Sequence, residues 1–265
     1  MQEGKSGIIC QARLSSTRLP GKVLFDLGGK NSIELIYLKY KKQLSQKVEF
    51  AVATSNSKED QAIKIFCEEK NIKVFCGDLQ NVLLRYYKCS KELDLKYIIR
   101  ITSDCPFIDY GPVSSMLTYL VQNNLDYISN SHNKEGHVPD GFDIEVFTMK
   151  ALEKAIKLDN LLPSDKEHVT FPFIKNSSFK KELITNTPRK YKGIRLTLDE
   201  PYDYKLIKLI IREIGIENIL NYSMYEICDF VLKKHLNHIN SKIIKNSGWE
   251  SSFKRDLEYL RNKNN

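Results

Sequence analysis

Short apolar runs alternate with amphipathic stretches over the first half of the chain. Gly7–Cys10, Val48–Thr54, Ile72–Phe75, Tyr97–Ile101 and Asp126–Ser129 are brief and mostly apolar or β-branched, which predicts buried or half-buried strands. Between them, Ser32–Leu44, Ser57–Lys70, Gln80–Leu93 and Pro112–Asn123 carry helical periodicity. Ser57 with Asp60 three residues on has the form of a helix N-terminal cap with an acid in the first turn. This alternation predicts an α/β fold, a mostly parallel sheet with helices on both faces. Ligands of such sheets bind outside the carboxyl ends of the strands.

The pattern changes after Ser129. Asn130–Gly141 is polar and loop-like, with a turn signal at Pro139-Asp140-Gly141. Phe142–Phe147 alternates as a strand, Met149–Leu158 and Ser164–Asn176 read as helices, and Phe179–Ile184 and Gly193–Leu198 read as strands before a helix over Asp203–Ile214. No repeat or linker forces a second domain. The expected organisation is one domain over residues 1–240, with a highly charged, helix-prone tail over 241–265.

Composition narrows the classes. A hydrophobic fraction of 42% over 265 residues is enough for a packed core. No apolar stretch approaches the roughly 20 residues of a membrane span, and Met1–Lys5 has no signal h-region, so a cytoplasmic protein is expected. The six cysteines are scattered, without a C-x-x-C pair, and read as reduced, packed thiols. A net charge of +8 invites a nucleic-acid reading. Acidic residues are interspersed throughout and no basic block of five appears, so no nucleic-acid partner is expected.

Three segments carry candidate chemistry. Gln11–Lys22 is a loop of small residues behind the first strand, with Arg13, Arg18 and Lys22. Arginines contact phosphate oxygens in bidentate fashion, lysine acts as a mobile point charge, and Gly21 permits close backbone approach. It matches neither the G-x-x-x-x-G-K-[ST] loop nor G-x-G-x-x-G, and a solvated βα loop is the competing reading. Thr102-Ser103-Asp104-Cys105-Pro106 and Arg195–Asp199 each leave an aspartate just past a strand-like run. A single such aspartate, Asp199 above all, reads first as a helix cap; as a pair, Asp104 and Asp199 suit a Mg²⁺ that shares its other positions with phosphate and water. Asp140, Asp143 and Glu145 recur in an alternation that puts Asp143 and Glu145 on one face. They read as acceptor contacts, as a second cation site, or as turn and edge acids. His235 and His238 have no third ligand nearby in sequence.

The string Q-A-R-x-x-S-T-R-L-P-G-K-V-L resembles the signature loop of the cytidylyltransferases that make CMP-activated acidic sugars (CMP-Kdo and CMP-sialate synthetases), most nearly their spore-coat-polysaccharide-biosynthesis-type branch. The segments around Val52–Ser55, Val82–Tyr87, Arg100–Asp109, Pro139–Phe147, Glu167–Thr170 and Arg195–Pro201 are similar to that branch, in order, from about Gly7 to Ile214. The resemblance implies a Rossmann-like nucleotide-diphospho-sugar transferase fold with a mixed sheet, a protruding element around 130–181 and a homodimer formed through it. It implies CTP and an acidic sugar as substrates and Mg²⁺ as cofactor, held by Asp104 and Asp199. Arg13 and Lys22 would bind the triphosphate and act in transfer. Ala12, Ser15, Arg18, Gly21, Thr54, Ser55 and Arg85 would serve the nucleotide. Where the sialate and Kdo enzymes read their sugar this branch has its own segment, so their acceptor contacts do not carry over. Asp140, Asp143, Glu145 and His168 are candidate acceptor contacts beside a structural reading, and Arg100 reads as a partner of phosphate, of an acceptor carboxylate or of an acid.

Two other classes compete. A glycosyltransferase using a nucleotide sugar would be expected to end a central strand in D-x-D, which Ser103-Asp104-Cys105 does not supply. A non-catalytic basic protein binding RNA or an acidic partner would show steep salt dependence without nucleotide chemistry.

Overall fold

The computed structural model describes residues 4–44, 48–131, 138–184, 187–243 and 247–263. The parts of the 130–141 loop and of the tail that fall at 132–137, 244–246 and 264–265 lie outside the described residues, as does 1–3.

Four strands, β1 (Ser6–Gln11), β2 (Val48–Ser55), β3 (Val74–Gly77) and β4 (Tyr97–Thr102), run parallel. β5 (Tyr127–Ser129), β6 (Glu145–Thr148) and β7 (Lys181–Leu183) complete one sheet in the order β3-β2-β1-β4-β6-β5-β7, with β6 antiparallel to both neighbours. The expected mixed, mostly parallel sheet is therefore present. Alternation decides the layers. Ile8, Cys10, Val52, Ile99 and Ile101 face α1 (Ser32–Gln43), α2 (Gln61–Glu69) and α4 (Val113–Gln122) through residues such as Ile33, Ile63 and Met116. Ile9, Ala51, Ala53, Ile98 and Phe147 face the other way, onto α3 (Val82–Glu92) and α5 (Met149–Ile156). Both faces are covered, which is why these strands read as continuous apolar runs.

The second half departs from the sequence reading in instructive places. Gly193–Leu198 is not a strand of the sheet. Ile194, Leu196 and Leu198 alternate because they bury into a separate cluster with α8 (Pro201–Ile214), α9 (Ile216–Asn221) and α10 (Met224–Lys233). The backbone makes one isolated bridge, Asp140 to Arg195, rather than a ladder. Gly141, at φ 107°, permits that crossing, since a Cβ there would stand 2.7 Å from the Leu196 carbonyl carbon. α9 and α10 had no counterpart in the pattern reading.

The single helix expected over Ser164–Asn176 is broken into α6 (Pro163–His168) and α7 (Phe171–Lys175). Pro172 cannot donate to the preceding turn, and Val169 takes a left-handed φ of 58° at the break. Within 130–181, β6 belongs to the sheet, and Phe147, Phe173 and Phe179 share one buried cluster. The tail forms α11 (Ser247–Lys263), which packs against α6 with Ser252 and Asp256 buried. No helix among the described residues is long and apolar enough to cross a membrane.

Candidate active site

β1 has β2 on one side and β4 on the other, so the chain reverses its direction of winding here and opens a crevice at the strands' carboxyl ends. A cleft of about 1500 Å³ fills it, lined by the loop after β1, the end of β4, the 138–145 and 193–200 segments, α6 and α11.

The loop after β1 is held from beneath by Asp60. This carboxylate, fully buried, accepts the Leu14 N–H at 2.7 Å and the Ser55 hydroxyl. Asp60 is therefore no simple first-turn acid of α2; the Ser57 hydroxyl accepts its N–H at 3.2 Å and the helix starts one residue later. Gly21 closes the loop, donating to the Leu14 carbonyl at 3.0 Å from a left-handed φ of 75°. A 3-10 turn over Lys22–Leu24 then drives Lys22 inward, to 7% exposure.

Asp104 and Asp199, distant in sequence, meet on that lysine. Lys22 Nζ donates to Asp104 Oδ2 at 2.9 Å and also to Asp199 Oδ1. The two carboxylates are tied to each other by backbone, as Leu198 N–H donates to the Asp104 carbonyl at 2.7 Å. Arg18 reaches Asp199 from the loop at 2.7 Å and Arg195 reaches it from below at 3.3 Å. Burial would raise the Asp104 carboxyl, but Lys22 and the Thr102 hydroxyl outweigh burial and hold it at about 2. Burial would likewise lower Lys22, and the two aspartates outweigh it, so the ammonium is raised above its ordinary value. Asp104 and Asp199 thus present charged oxygens to a single point already occupied by a cation. That donor set fits Mg²⁺, with phosphate and water supplying the remaining ligands. Among the described residues no group of three or more His, Cys, Asp or Glu gathers into a fuller protein cage.

The rest of the cleft wall is built on ion pairs. Arg195, 9% exposed, grips Asp203 at 3.0 Å and Asp140, whose second oxygen takes the Thr197 hydroxyl at 2.5 Å. Asp203 also accepts the N–H groups of Asp199 and Glu200, at 3.1 and 3.0 Å, and so caps α8. Glu145 is 1% exposed; it pairs with Arg100 and accepts the Tyr127 hydroxyl at 2.6 Å. Asp143 and Glu145 do not share a strand face, because β6 begins only at Glu145 and Asp143 lines the cleft from the preceding loop. His168 lines the cleft, stacks on Phe171 at 4.4 Å, and its Nε2 lies 2.8 Å from the Ser252 hydroxyl of α11.

Four of the residues expected at the nucleotide lie beneath the cleft surface. Ala12, Thr54, Ser55 and Arg85 are all buried and absent from its lining. Arg85 donates to the carbonyls of Asp78, at 2.9 and 2.6 Å, and Leu79, at 3.0 Å; it supports a wall of the cleft and does not reach across it. Burial lowers its guanidinium. Cys105 is buried and its thiol pushed well above the ordinary range by burial and Asp104, which suits a packed thiol and not a nucleophile. All six cysteines are free. His235 and His238 lie at the end of α10, away from the cleft lining. Residues the sequence reading passed over are Asp60, the hub Arg195, and Ser252, Phe253 and Arg255 of α11. Arg195 had a signal in its i,i+4 relation to Asp199; those of α11 had none beyond charge.

A family model described as Cytidylyltransferase matches residues 7–240. The chain belongs to the cytidylyltransferase family. Among relatives, it is 35% identical over 239 residues to the uncharacterized protein MJ1063 of Methanocaldococcus jannaschii, covering 89% of this chain and 94% of that one. It is 28% identical over 212 residues to the spore coat polysaccharide biosynthesis protein SpsF of Bacillus subtilis, covering 78% and 86%. A solved cytidylyltransferase from Leptospira borgpetersenii matches its fold with a TM-score of 0.78 at 26% identity, over 91% of this chain and 99% of that one. In this cytidylyltransferase the shared segment takes in both aspartates and the β1 loop, while α11 lies beyond it.

Proposed function

We propose that this cytidylyltransferase joins CMP from CTP to a hydroxyl of an acidic sugar or related acidic metabolite, releasing pyrophosphate, in the synthesis of a surface polysaccharide or glycan. The observation that carries the reading is the meeting of Asp104 and Asp199 on Lys22 beside the arginine-bearing loop. The likeness to SpsF, a spore coat polysaccharide biosynthesis protein, supports the pathway class.

In the reaction the acceptor oxygen attacks the α-phosphorus in line, the bond from that phosphorus to the bridging oxygen breaks, and pyrophosphate departs as the hydroxyl proton passes to solvent. Mg²⁺, held by Asp104 and Asp199, supplies neutralisation of the triphosphate when bound. Lys22, buried and held by both aspartates, is a fixed cation that neutralises charge developing on the leaving group. Arg13 and Arg18 hold phosphate oxygens, and Ser15 and Gly21 keep the loop small enough for close approach. Catalysis is then positioning plus preorganised charge. Arg100 and Glu145, paired with each other, shape the acceptor end, where Asp143 and Asp140 also line the cleft.

A pyrophosphate-release screen tests this: four nucleoside triphosphates crossed with acidic sugars, sugar phosphates and neutral sugars, with and without Mg²⁺. Release confined to CTP and Mg²⁺ is the expected result; release of free nucleotide from a nucleotide sugar would overturn it. The homodimer belongs to the same reading, and light scattering on the purified chain checks it.

A further inference from the structure

α11 lies outside the segment shared with the family, and it is built into the cleft. Asp256 accepts the buried Ser164 N–H at 2.9 Å, Ser252 meets His168 at 2.8 Å, and Phe253 stacks on Phe171 at 5.9 Å. These contacts fix the helix as a wall. From it Arg255 extends along the cleft with its side chain 48% exposed.

Arg255 Nη2 donates to Glu167 Oε2 and to the Ser252 hydroxyl at 2.9 Å, while Arg13 donates to the other oxygen of Glu167 at 3.3 Å. One carboxylate is thus flanked by the arginine of the nucleotide loop and the arginine of the terminal helix. Arg13 and Arg255 therefore stand side by side in one cleft, so a substrate bound next to the triphosphate meets the Arg255 guanidinium. The guanidinium there already holds a carboxylate, and Lys166 and Lys175 line the same end. We propose that Arg255 forms an anion subsite through which α11 selects an acceptor bearing an oxyanion, a sugar carboxylate or a sugar phosphate. The inference deepens the proposed function and rests on it.

The experiment uses the full chain. Calorimetric titration with CTP and Mg²⁺ comes first, followed by steady-state pyrophosphate release with N-acetylneuraminate, 3-deoxy-manno-octulosonate, glucose 1-phosphate and glucose. Turnover is expected with sugar acids or the sugar phosphate and not with glucose, and the acid and phosphate arms tell the two sources apart. Arg255→Gln should raise the KM of the accepted anion tenfold or more and change the KM of CTP less than twofold, with Arg255→Lys recovering part of the loss. Lys254→Gln, which removes an exposed charge of the same helix that does not line the cleft, should leave the acceptor KM unchanged. An unchanged acceptor KM in Arg255→Gln, preference for glucose, or normal CTP uptake with no anionic acceptor used would each overturn the subsite while leaving the nucleotide reading standing. No CTP uptake at all would overturn both.

Discussion

At the scale of single residues, Lys22 separates what composition could say from what geometry adds. A lysine in a basic loop is ordinary; a lysine 7% exposed, shared by two aspartates from distant segments, is a preorganised charge. Lys22→Ala and Asp104→Ala are each expected to slow pyrophosphate release a hundredfold or more, about 3 kcal/mol of transition-state stabilisation. Initial rates at saturating CTP, on protein whose melting curve shows it folded, check this; near-normal rates in either variant would sink the assignment. Asp60 makes the complementary point. It touches no cleft surface, yet it holds the loop through Leu14 and Ser55. Asp60→Ala strands a buried N–H and hydroxyl, at a cost of about 1–3 kcal/mol, so both a lower Tm and a higher KM for CTP are expected. Lys22, Asp104 and Asp199 stand out in the sequence because each ends a recognisable run, and the fold brings the three together. Arg85 stands beside a conspicuous segment too, but nothing in the sequence signals that its side chain turns to the Asp78 and Leu79 carbonyls.

Between residues and the whole molecule, the elements show where periodicity is a sufficient signal. The strands up to β5 and the helices up to α4 were legible because each strand is flanked by helices and its burial is local in sequence. Gly193–Leu198 was not, since an alternating apolar run looks the same whether it joins a ladder or lies under three helices. The break between α6 and α7 was written in Pro172, but not the packing of α11 against α6 beside it. His168 sits at that junction. Burial lowers its imidazole to about 4, aided by Arg100 and Arg255 and opposed by Glu167 and Glu145. The unfolded chain takes up this proton below about 6.5, whereas the folded chain resists it until about 4. Between those values the unfolded state binds more protons, so stability falls as pH falls through that window and is fully present above it. Thermal melts from pH 7 to pH 4 should show a larger loss for the native chain than for His168→Gln, by on the order of 1–3 kcal/mol at the acid end. Parallel curves for the two proteins would show that the α6–α11 junction does not sense this proton.

Across the whole molecule, the cleft joins parts that belong to different cores. The β1 loop and the end of β4 grow out of the two clusters that sandwich the sheet, whereas Asp199 sits on the segment buried with α8, α9 and α10. Lys22, Arg18 and the Leu198–Asp104 backbone bond are among the contacts that cross between them at the site. A ligand that engages both sides adds a further cross-link to the folded state and has no counterpart in the unfolded chain. At a hundred times its Kd such a ligand stabilises by about 2.7 kcal/mol, and for a chain of this size each kcal/mol moves the Tm by roughly 2–4 °C. CTP with Mg²⁺ is therefore expected to raise the Tm by about 5–10 °C. CTP with a chelator should give a distinctly smaller rise, because Asp104 and Asp199 then face the triphosphate without a metal ion between them and the phosphate oxygens. Asp199→Ala should lose most of the Mg²⁺-dependent part while keeping a response to CTP through Arg13, Arg18 and Lys22. Equal shifts with and without the metal, in native chain and variant alike, would mean that the nucleotide is held by the loop alone and that the second core takes no part in binding it.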